Sequence, residues 1–532
     1  MDIVLATINA KWIHPSLALR LLKANLQNLE SSCEILEFAL RQPLNEKIEP
    51  IVAARPRILG LSVSIWNHLA TLELLKALET AWQQDYRQAA FEKREPGQKP
   101  IIVLGGPEVS WLPEQAEIFY HADYVIRGEG EESFRSLCSE LLKKNPSDQT
   151  IDKKTIFINQ SNTIVNLNEN TSPYRLYTDE DLKQKLVYVE ASRGCPYSCE
   201  FCQASVRHNA DDEIQQIRHF PLDIFLSEMD ILIKRGGRSF KFLDRTFNLD
   251  INRSKKIIQF FLDRIKELQT EISTAKTKCT EQEKPLSVHF EMVPSRFPQA
   301  LCELLCQFPP GTLRLEIGIQ TLNPDTLVLI KRPINFQSLN RQSLPLFQQQ
   351  SEELKILEFL RRETNAILHV DLIAGLPGEG LASFAAGFDR LWQTLSGASS
   401  FSNENHVCPS GKAFEIQLGI LKGLPGTPIA RHNETHRMKH SHKPPYEVIE
   451  TGALSAAELD KIKNFARFWE IIVNRNPFPD LIPHLLPPGK PVFDKFMCLS
   501  DRLLEHFGRN WGIDRGELKS FLACQLPIKQ HS

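Results

Sequence analysis

The chain has 532 residues, 42% of them hydrophobic and 24% charged, with a formal net charge of −2. That length exceeds one ordinary hydrophobic core, so two or three domains are expected, and the near-neutral charge excludes a general polyanion binder. No stretch reaches the apolar length of a membrane span, and eleven scattered cysteines argue against a disulfide framework. A cytoplasmic protein without membrane or nucleic-acid partners is the expectation.

Met1 to Ile8 lacks the basic flank and long apolar run of a signal peptide; it reads as a first strand over Asp2–Thr7. Leu17–Leu29 has helical periodicity. Glu34–Leu40 reads as a strand, Ile58–Ser64 as a buried strand and Leu69–Trp82 as a helix. The polar stretch Gln84–Lys99 breaks the pattern and reads as a surface insertion. Pro100–Leu104 leads into Gly105, Gly106 and Pro107. Tyr124–Ile126 leads into Gly128, Glu129, Gly130 and Glu131, then a helix through Leu142. Alternating strands and helices predict an α/β domain over residues 1–145, a doubly wound parallel sheet of Rossmann type. Ligands of such sheets bind beyond the carboxyl ends of the strands. Those ends carry Ser62, Ser64, Gly105, Gly106 and Gly128. Glycines admit a large ligand to the backbone and serine hydroxyls bond amide side chains, although the glycines could also serve only tight turns.

Residues 146–185 read as a linker containing a hairpin, 155–166, around Ser161 and Asn162. A strand then starts at Leu186. Just beyond its carboxyl end, Cys195, Cys199 and Cys202 form a C-x3-C-x2-C array. Three thiolates on one short loop suit an iron–sulfur cluster, and three ligands on a four-iron cluster leave one iron open. A closed zinc site is the alternative; it needs a fourth ligand, for which His208 is nearest. Strands at Ser239–Leu243, Ser287–Met292, Leu313–Ile319, Ala366–Ile373 and Phe414–Leu418 alternate with helices at Phe220–Ile233 and Ser254–Leu268. With the strand at Leu186 this makes six strand units over residues 186–430. Stretches 270–285 and 398–412 are polar and read as inserted loops. Residues 431–532 read as mainly helical, with candidates at Ser455–Asn474, Lys495–Phe507 and Arg515–Ala523; Ser455 and Glu458 look like a capping box.

The cysteine array, with Phe201 before its last member and Arg193, Gly194 and Pro196 beside its first, resembles the signature of the radical S-adenosylmethionine (radical SAM) enzymes. The block up to Leu142 resembles the cobalamin-binding domain found in front of many such modules; the glycines after the fourth and fifth strands are the matching pieces. The D-x-H-x-x-G loop that supplies a cobalt ligand in some cobalamin proteins is absent, and His14, after the first strand, lacks that context. Further likeness lies in F-L-D-R-T-F-N from Phe242, L-E-I-G-I-Q-T from Leu315, D-L-I-A-G-L-P-G from Asp371 and L-K-G-L-P-G-T-P at Leu421–Pro428. The helical tail resembles that of an uncharacterised group of cobalamin-domain radical SAM proteins, where it could be a substrate lid or a structural cap.

The resemblance implies a partial (β/α)6 barrel, a [4Fe-4S] cluster on Cys195, Cys199 and Cys202, and reductive cleavage of S-adenosylmethionine to a 5′-deoxyadenosyl radical. It implies Phe201, Asp244, Glu291, Gln320, Gly375 and Pro377 around S-adenosylmethionine, with Asp244 and Glu291 on its amino or ribose groups. It places cobalamin, if retained, at Ser62, Ser64, Gly105, Gly106 and Gly128, with methyl transfer to a small-molecule or other substrate. A reductase or a flavodoxin- or ferredoxin-type donor would supply the electron. A cobalamin-independent radical SAM oxidoreductase and a non-catalytic iron–sulfur or cobalamin-binding module are the alternatives. A methylthiotransferase would need three more N-terminal cysteines, and only Cys33 and Cys138 precede the array.

Overall fold

The computed structural model describes residues 1–92, 99–144, 155–159, 165–205, 217–274, 284–332, 346–397 and 414–526. The elements run β1 (Ile3–Asn9), α1 (Leu17–Ala24), β2 (Cys33–Ala39), α2 (Leu44–Ala54), β3 (Ile58–Ser62), α3 (His68–Glu92), β4 (Ile101–Gly105), α4 (Pro107–Trp111), β5 (Tyr124–Arg127), α5 (Glu131–Lys143) and β6 (Ile156–Asn159). These six strands form one parallel sheet in the order β2-β1-β3-β4-β5-β6. Every residue of β1 is buried, as a central strand covered on both faces requires. One face packs Val4, Ala6, Leu59 and Leu61 under Leu74, Leu75 and Leu78 of α3. The other packs Ile3, Leu5 and Val103 under Leu19 of α1 and Phe134 and Leu137 of α5.

Two expectations change here. The polar run from Gln84 is not an insertion as far as Glu92: it continues α3, because Gln, Arg, Ala and Glu are good helix formers and a polar face suits an exposed turn. The first arm of the expected hairpin, Ile156–Asn159, instead pairs parallel with β5 as the edge of the first sheet. The hairpin's turn at Ser161 and Asn162 lies outside the described residues, as does His208. Helix α2, which carries Pro50 in its interior and follows Pro43, escaped the sequence reading.

After α6 (Asp179–Gln184) and β7 (Val187–Val189), a two-residue antiparallel pair β8 (Ser192–Arg193) and β9 (Arg218–His219) brackets the cysteine loop. Then follow α7 (Leu222–Lys234), β10 (Ser239–Phe242), α8 (Ile251–Thr274), β11 (Ser287–Met292), α9 (Gln299–Leu305), β12 (Leu313–Gln320), α10 (Pro324–Leu329), α11 (Leu346–Glu363), β13 (Ile367–Ala374), α12 (Leu381–Gly397) and β14 (Phe414–Ile420). The second sheet is parallel and six-stranded, in the order β14-β13-β12-β11-β10-β7. Alternation along β12 buries Leu313, Leu315, Ile317 and Ile319 against the helices and leaves Arg314, Glu316, Gly318 and Gln320 on the lumen side. The lumen is therefore polar: Lys241 reaches Glu316 at 3.2 Å, His289 reaches Glu316 at 3.2 Å, and Arg314 reaches Glu415 at 2.7 Å.

The tail continues with β15 (Lys439–His440) and β16 (Val448–Glu450), an antiparallel pair, then α13 (Ala456–Trp469), α14 (Ile482–Leu485), α15 (Phe493–Phe507) and α16 (Arg515–Cys524). Ser455 and Glu458 do form a capping box at α13. Phe465 and Trp469 of α13 stack on each other and both meet Phe388 of α12 edge-on, with centroids 5.2 and 4.8 Å away. Rings buried this way contribute about 2 kcal/mol each, so α13 is welded to the barrel rather than hinged over it. No described helix is long and apolar enough to cross a membrane.

Candidate active site

The cysteine loop begins where β7 ends. The buried carboxylate of Asp244, just past β10, accepts the Ala191 amide at 3.0 Å and the Ser192 hydroxyl at 2.5 Å, fixing the loop's entry. Gly194 then takes φ +96°, a left-handed turn that a side chain would strain. The loop's middle is held from both sides. The Glu200 amide donates to the Ile330 carbonyl at 3.0 Å, and its own carbonyl accepts the Ile429 amide at 3.0 Å. The Glu200 carboxylate, 1% exposed, meets His432 at 2.8 Å and also Arg431 and Lys331. A buried carboxylate is stable only with such partners. Gln203 closes the exit by donating to the Pro425 carbonyl at 3.1 Å.

Cys195 and Cys199 are buried and Cys202 half-buried. Burial raises the Cys195 and Cys199 thiols above their ordinary range; at Cys199 the Arg332 guanidinium opposes the rise. Arg332 donates to Cys199 Sγ at 3.6 Å and to the Gly318 carbonyl at 2.5 Å. Among the described residues no three Cys, His, Asp or Glu side chains converge as a single metal ion requires. A cubane presents a separate iron to each thiolate, so three thiols that line one cleft without converging fit a cluster better than a zinc ion.

All three cysteines line one open cleft of about 690 Å³ at the carboxyl end of the barrel strands. Glu291, Gln320 and Phe201 line it too, as do Arg332, Glu316 and Asp371. Burial pushes Glu291 up to about 7, with Arg245 opposing, and Asp371 up to about 7, with Glu316 adding to the rise. Glu316 is held down at about 2: burial works against ionisation, but the His289 hydrogen bond and the Lys241 charge outweigh it. The cleft thus pairs one firmly ionised carboxylate with two that exchange protons near neutrality. Gln320 sits at φ +71°, after a register shift between Gly318 and Gln320, and a Cβ on Gly318 would lie 2.2 Å from its side-chain nitrogen.

Three residues assigned to S-adenosylmethionine by resemblance are placed elsewhere. Asp244 is spent on the loop entry and does not line the cleft. Gly375 has φ +86°, and a Cβ there would lie 2.5 Å from Val448, so it seats the tail's strand β16. Pro377 is buried, and its carbonyl accepts the Thr326 hydroxyl at 3.4 Å. Arg332, Glu316 and Asp371 were missed. A strict period of two along β12 and β13 would have placed Glu316 and Asp371 on the lumen side; nothing local marks Arg332.

The first sheet turns its carboxyl edge toward the same loop. Arg193 reaches Glu131 at 2.7 Å and Glu190 at 3.0 Å, and lies 3.6 Å from Glu129, which also binds Arg218. Glu108 of α4, 1% exposed, accepts from the Tyr446 hydroxyl of the tail at 2.6 Å and meets His68 at 2.8 Å. Trp111 packs on Gly426 so closely that a Cβ there would lie 2.7 Å from the ring. Within this edge Ser62 pairs in register with Gly105. Gly106 has φ +110° and abuts Val63, where a Cβ would lie 2.5 Å from the carbonyl oxygen. The Gly128 amide donates to Ser110 Oγ at 3.1 Å, and the Ser64 amide to Asn67 at 2.7 Å. Gly106 and Gly128, both at positive φ, therefore do serve tight turns. His14 meets the Tyr188 hydroxyl at 2.8 Å, across the two domains, which gives it a positioning role.

Family comparison agrees with this geometry. Residues 3–138 match the B12 binding domain and residues 189–390 the radical SAM superfamily. The chain is a radical SAM protein with a B12-binding domain. Over 217 residues it is 24% identical to the cobalamin-dependent radical SAM methyltransferase TokK of Streptomyces tokunonensis, covering 35% of this chain and 29% of the relative. The chain spans between 22% and 35% of the length of the curated relatives it matches. Among solved structures, the cobalamin-dependent S-adenosylmethionine radical enzyme OxsB with aqua-cobalamin has TM-score 0.57 at 17% identity, over 98% of this chain and 75% of that one. The radical S-adenosylmethionine methyltransferase TsrM of Kitasatospora setae, with cobalamin and a [4Fe-4S] cluster, has TM-score 0.55 at 15% identity, over 84% of this chain and 82% of that one. At such identities the likeness concerns the fold.

Proposed function

We propose that the chain is a cobalamin-dependent radical SAM methyltransferase. One observation carries the reading: the cysteine loop at the barrel mouth is bound through Arg193 to Glu129 and Glu131 at the carboxyl edge of the B12-binding domain, so the loop lies where the two domains meet. Cys195, Cys199 and Cys202 hold the cluster, and Ser62, Ser64, Gly105, Gly106 and Gly128 border the cobalamin. When bound, the cluster supplies the electron that cleaves S-adenosylmethionine to a 5′-deoxyadenosyl radical, and cobalamin supplies the methyl group.

The residues of the chain bind and orient. Phe201 gives the adenosyl group an apolar wall. Glu291 and Gln320 offer oxygen acceptors to the ribose hydroxyls or the amino group. Arg332 compensates negative charge at Cys199. Asp371 and Glu291, near neutrality, accept or hold a proton beside the substrate. A flavodoxin- or ferredoxin-type reductant supplies the electron, and the substrate is a small molecule or a segment small enough to enter the cleft.

The test is anaerobic reconstitution with iron, sulfide, S-adenosylmethionine and reductant, with and without cobalamin. Formation of 5′-deoxyadenosine establishes the radical step. S-adenosylhomocysteine that rises only with cobalamin establishes methyl transfer. A fully cluster-loaded protein yielding neither product overturns the reading.

A further inference from the structure

A second, larger cleft of about 1330 Å³ adjoins the first and is lined by β14, the segment after it and helix α13. Phe201 lines both clefts. Asp371 of the first is the register neighbour of Gln417 of the second. The two spaces are thus joined on the lumen side of the barrel's last strand. Resting on the reading that the cysteine cleft is the reaction centre, we infer that this second cleft admits the substrate, and that it takes an extended, amide-bearing chain with acidic side chains, as in an acidic peptide segment.

The strand edge is the first argument. β14 ends the second sheet, so alternate residues turn their amide and carbonyl outward. Ile416 is one of them: its amide donates to Asn474 Oδ1 at 3.2 Å and its carbonyl accepts from Asn474 Nδ2 at 3.0 Å. A side-chain carboxamide here plays the part of a neighbouring peptide. By the period of two, Leu418 and Ile420 turn outward as well, and both line the cleft. Among the described residues no group takes their edge amides. An extended chain laid along β14 would continue the ladder that Asn474 begins.

Charge is the second argument. Lys422, Lys463 and Arg467 line the cleft, with Glu447 and Glu470 as its acids. Glu447 is engaged by Lys463 at 3.3 Å and Glu470 by Arg475 at 3.0 Å. Arg467 spends its Nε on the Asn510 carbonyl at 3.2 Å, which leaves its terminal nitrogens, and Lys422 has no acidic partner among the described residues. Two cations beside an open strand edge select acidic side chains over basic ones. Leu421, Leu424 and Ala466 supply apolar contact between them.

The experiment exposes the cluster-loaded full chain to acetylated heptapeptides randomised at four central positions and identifies the retained peptides by mass spectrometry. At least tenfold enrichment of Asp- and Glu-containing peptides is expected, and it should vanish in Lys422→Glu/Arg467→Glu. Hydrogen exchange at Leu418 and Ile420 should slow when the best retained peptide binds. Ala466→Trp, which fills the cleft and leaves its charges unchanged, should also abolish retention. No acidic enrichment, enrichment that persists in both variants, or retention without protection of β14 would overturn the inference. Wild-type cleavage of S-adenosylmethionine, assayed separately without peptide, reports on the radical reading alone, so the two failures are distinguishable.

Discussion

The Arg193 guanidinium lies 2.7 Å from the Glu131 carboxylate, and this pair fastens the cysteine loop of the barrel to the first turn of a helix in the B12-binding domain. Glu131 belongs to the Gly128–Glu131 turn, so a stretch that looks like ligand-binding sequence also sets the angle between two domains. Removing one partner of a buried ion pair leaves an uncompensated charge. Arg193→Met should therefore cost about 3 kcal/mol, read as a lowered urea midpoint. Glu131→Gln should cost about 1 kcal/mol, because Glu190 and Glu129 remain beside the arginine. A double-mutant cycle should return a coupling near 1 kcal/mol; strict additivity would show that the pair does not join the domains.

Asp244 and Glu291 both stand at strand ends, and their substitutions should separate cleanly. Asp244→Ala leaves the Ala191 amide and the Ser192 hydroxyl without their acceptor. It should cost about 2 kcal/mol and reduce the iron retained after reconstitution. Glu291→Gln lines the cleft and touches no loop anchor, so iron content should stay while the affinity for S-adenosylmethionine falls about tenfold. Normal iron with weakened cofactor binding in Asp244→Ala would restore Asp244 as a direct ligand.

The division between legible and hidden features follows from locality. Both parallel sheets were legible because continuous apolar runs such as Ile58–Ser62 and alternations such as Leu313–Gln320 are local patterns. The cysteine loop was legible because Cys195, Cys199 and Cys202 sit on one short segment. Helix α2 was hidden by Pro50, and the end of α3 by a polar run whose good helix formers outweigh its lack of apolar residues. Hidden too were relations between distant segments. Glu200 sits inside the cysteine array, yet its partner His432 is remote in sequence. Gly375 has the turn chemistry of a cofactor loop, but its lack of a side chain makes room for Val448. Only packing reveals which of two uses a glycine serves.

Arg332, half-buried, donates to Cys199 Sγ at 3.6 Å. A hydrogen bond and a positive charge at a ligand sulfur favour the reduced, more negative cluster. Arg332→Leu should lower the cluster's reduction potential by on the order of 50 mV, the equivalent of about 1.2 kcal/mol for one electron. Anaerobic redox titration followed by electron paramagnetic resonance reads it. An unchanged potential in a fully loaded variant would show that the guanidinium serves only the Gly318 carbonyl.

Glu379 contributes, beside Glu291 and Asp371, to the pH dependence that stability measurements should find, and its substitution isolates its share. It is buried behind the Gly375–Gly378 turn, accepts the Thr321 hydroxyl at 2.7 Å, and its second oxygen has no partner among the described residues. Burial raises its pKa to about 7, against the hydrogen bonds from Thr321 and Ser383. The folded state therefore holds a proton that the unfolded chain releases near its ordinary value. Between those two values the folded protein binds more protons, so stability falls as pH rises through the window, and the loss is complete above about 7. Glu379→Gln keeps the acceptor for Thr321 and removes the ionisation. Against wild type it should gain about 1 kcal/mol at pH 5 and about 3 kcal/mol at pH 8 in urea unfolding. An equal gain at both pH values would mean that the substitution acts through packing, and that Glu379 is not the group that titrates.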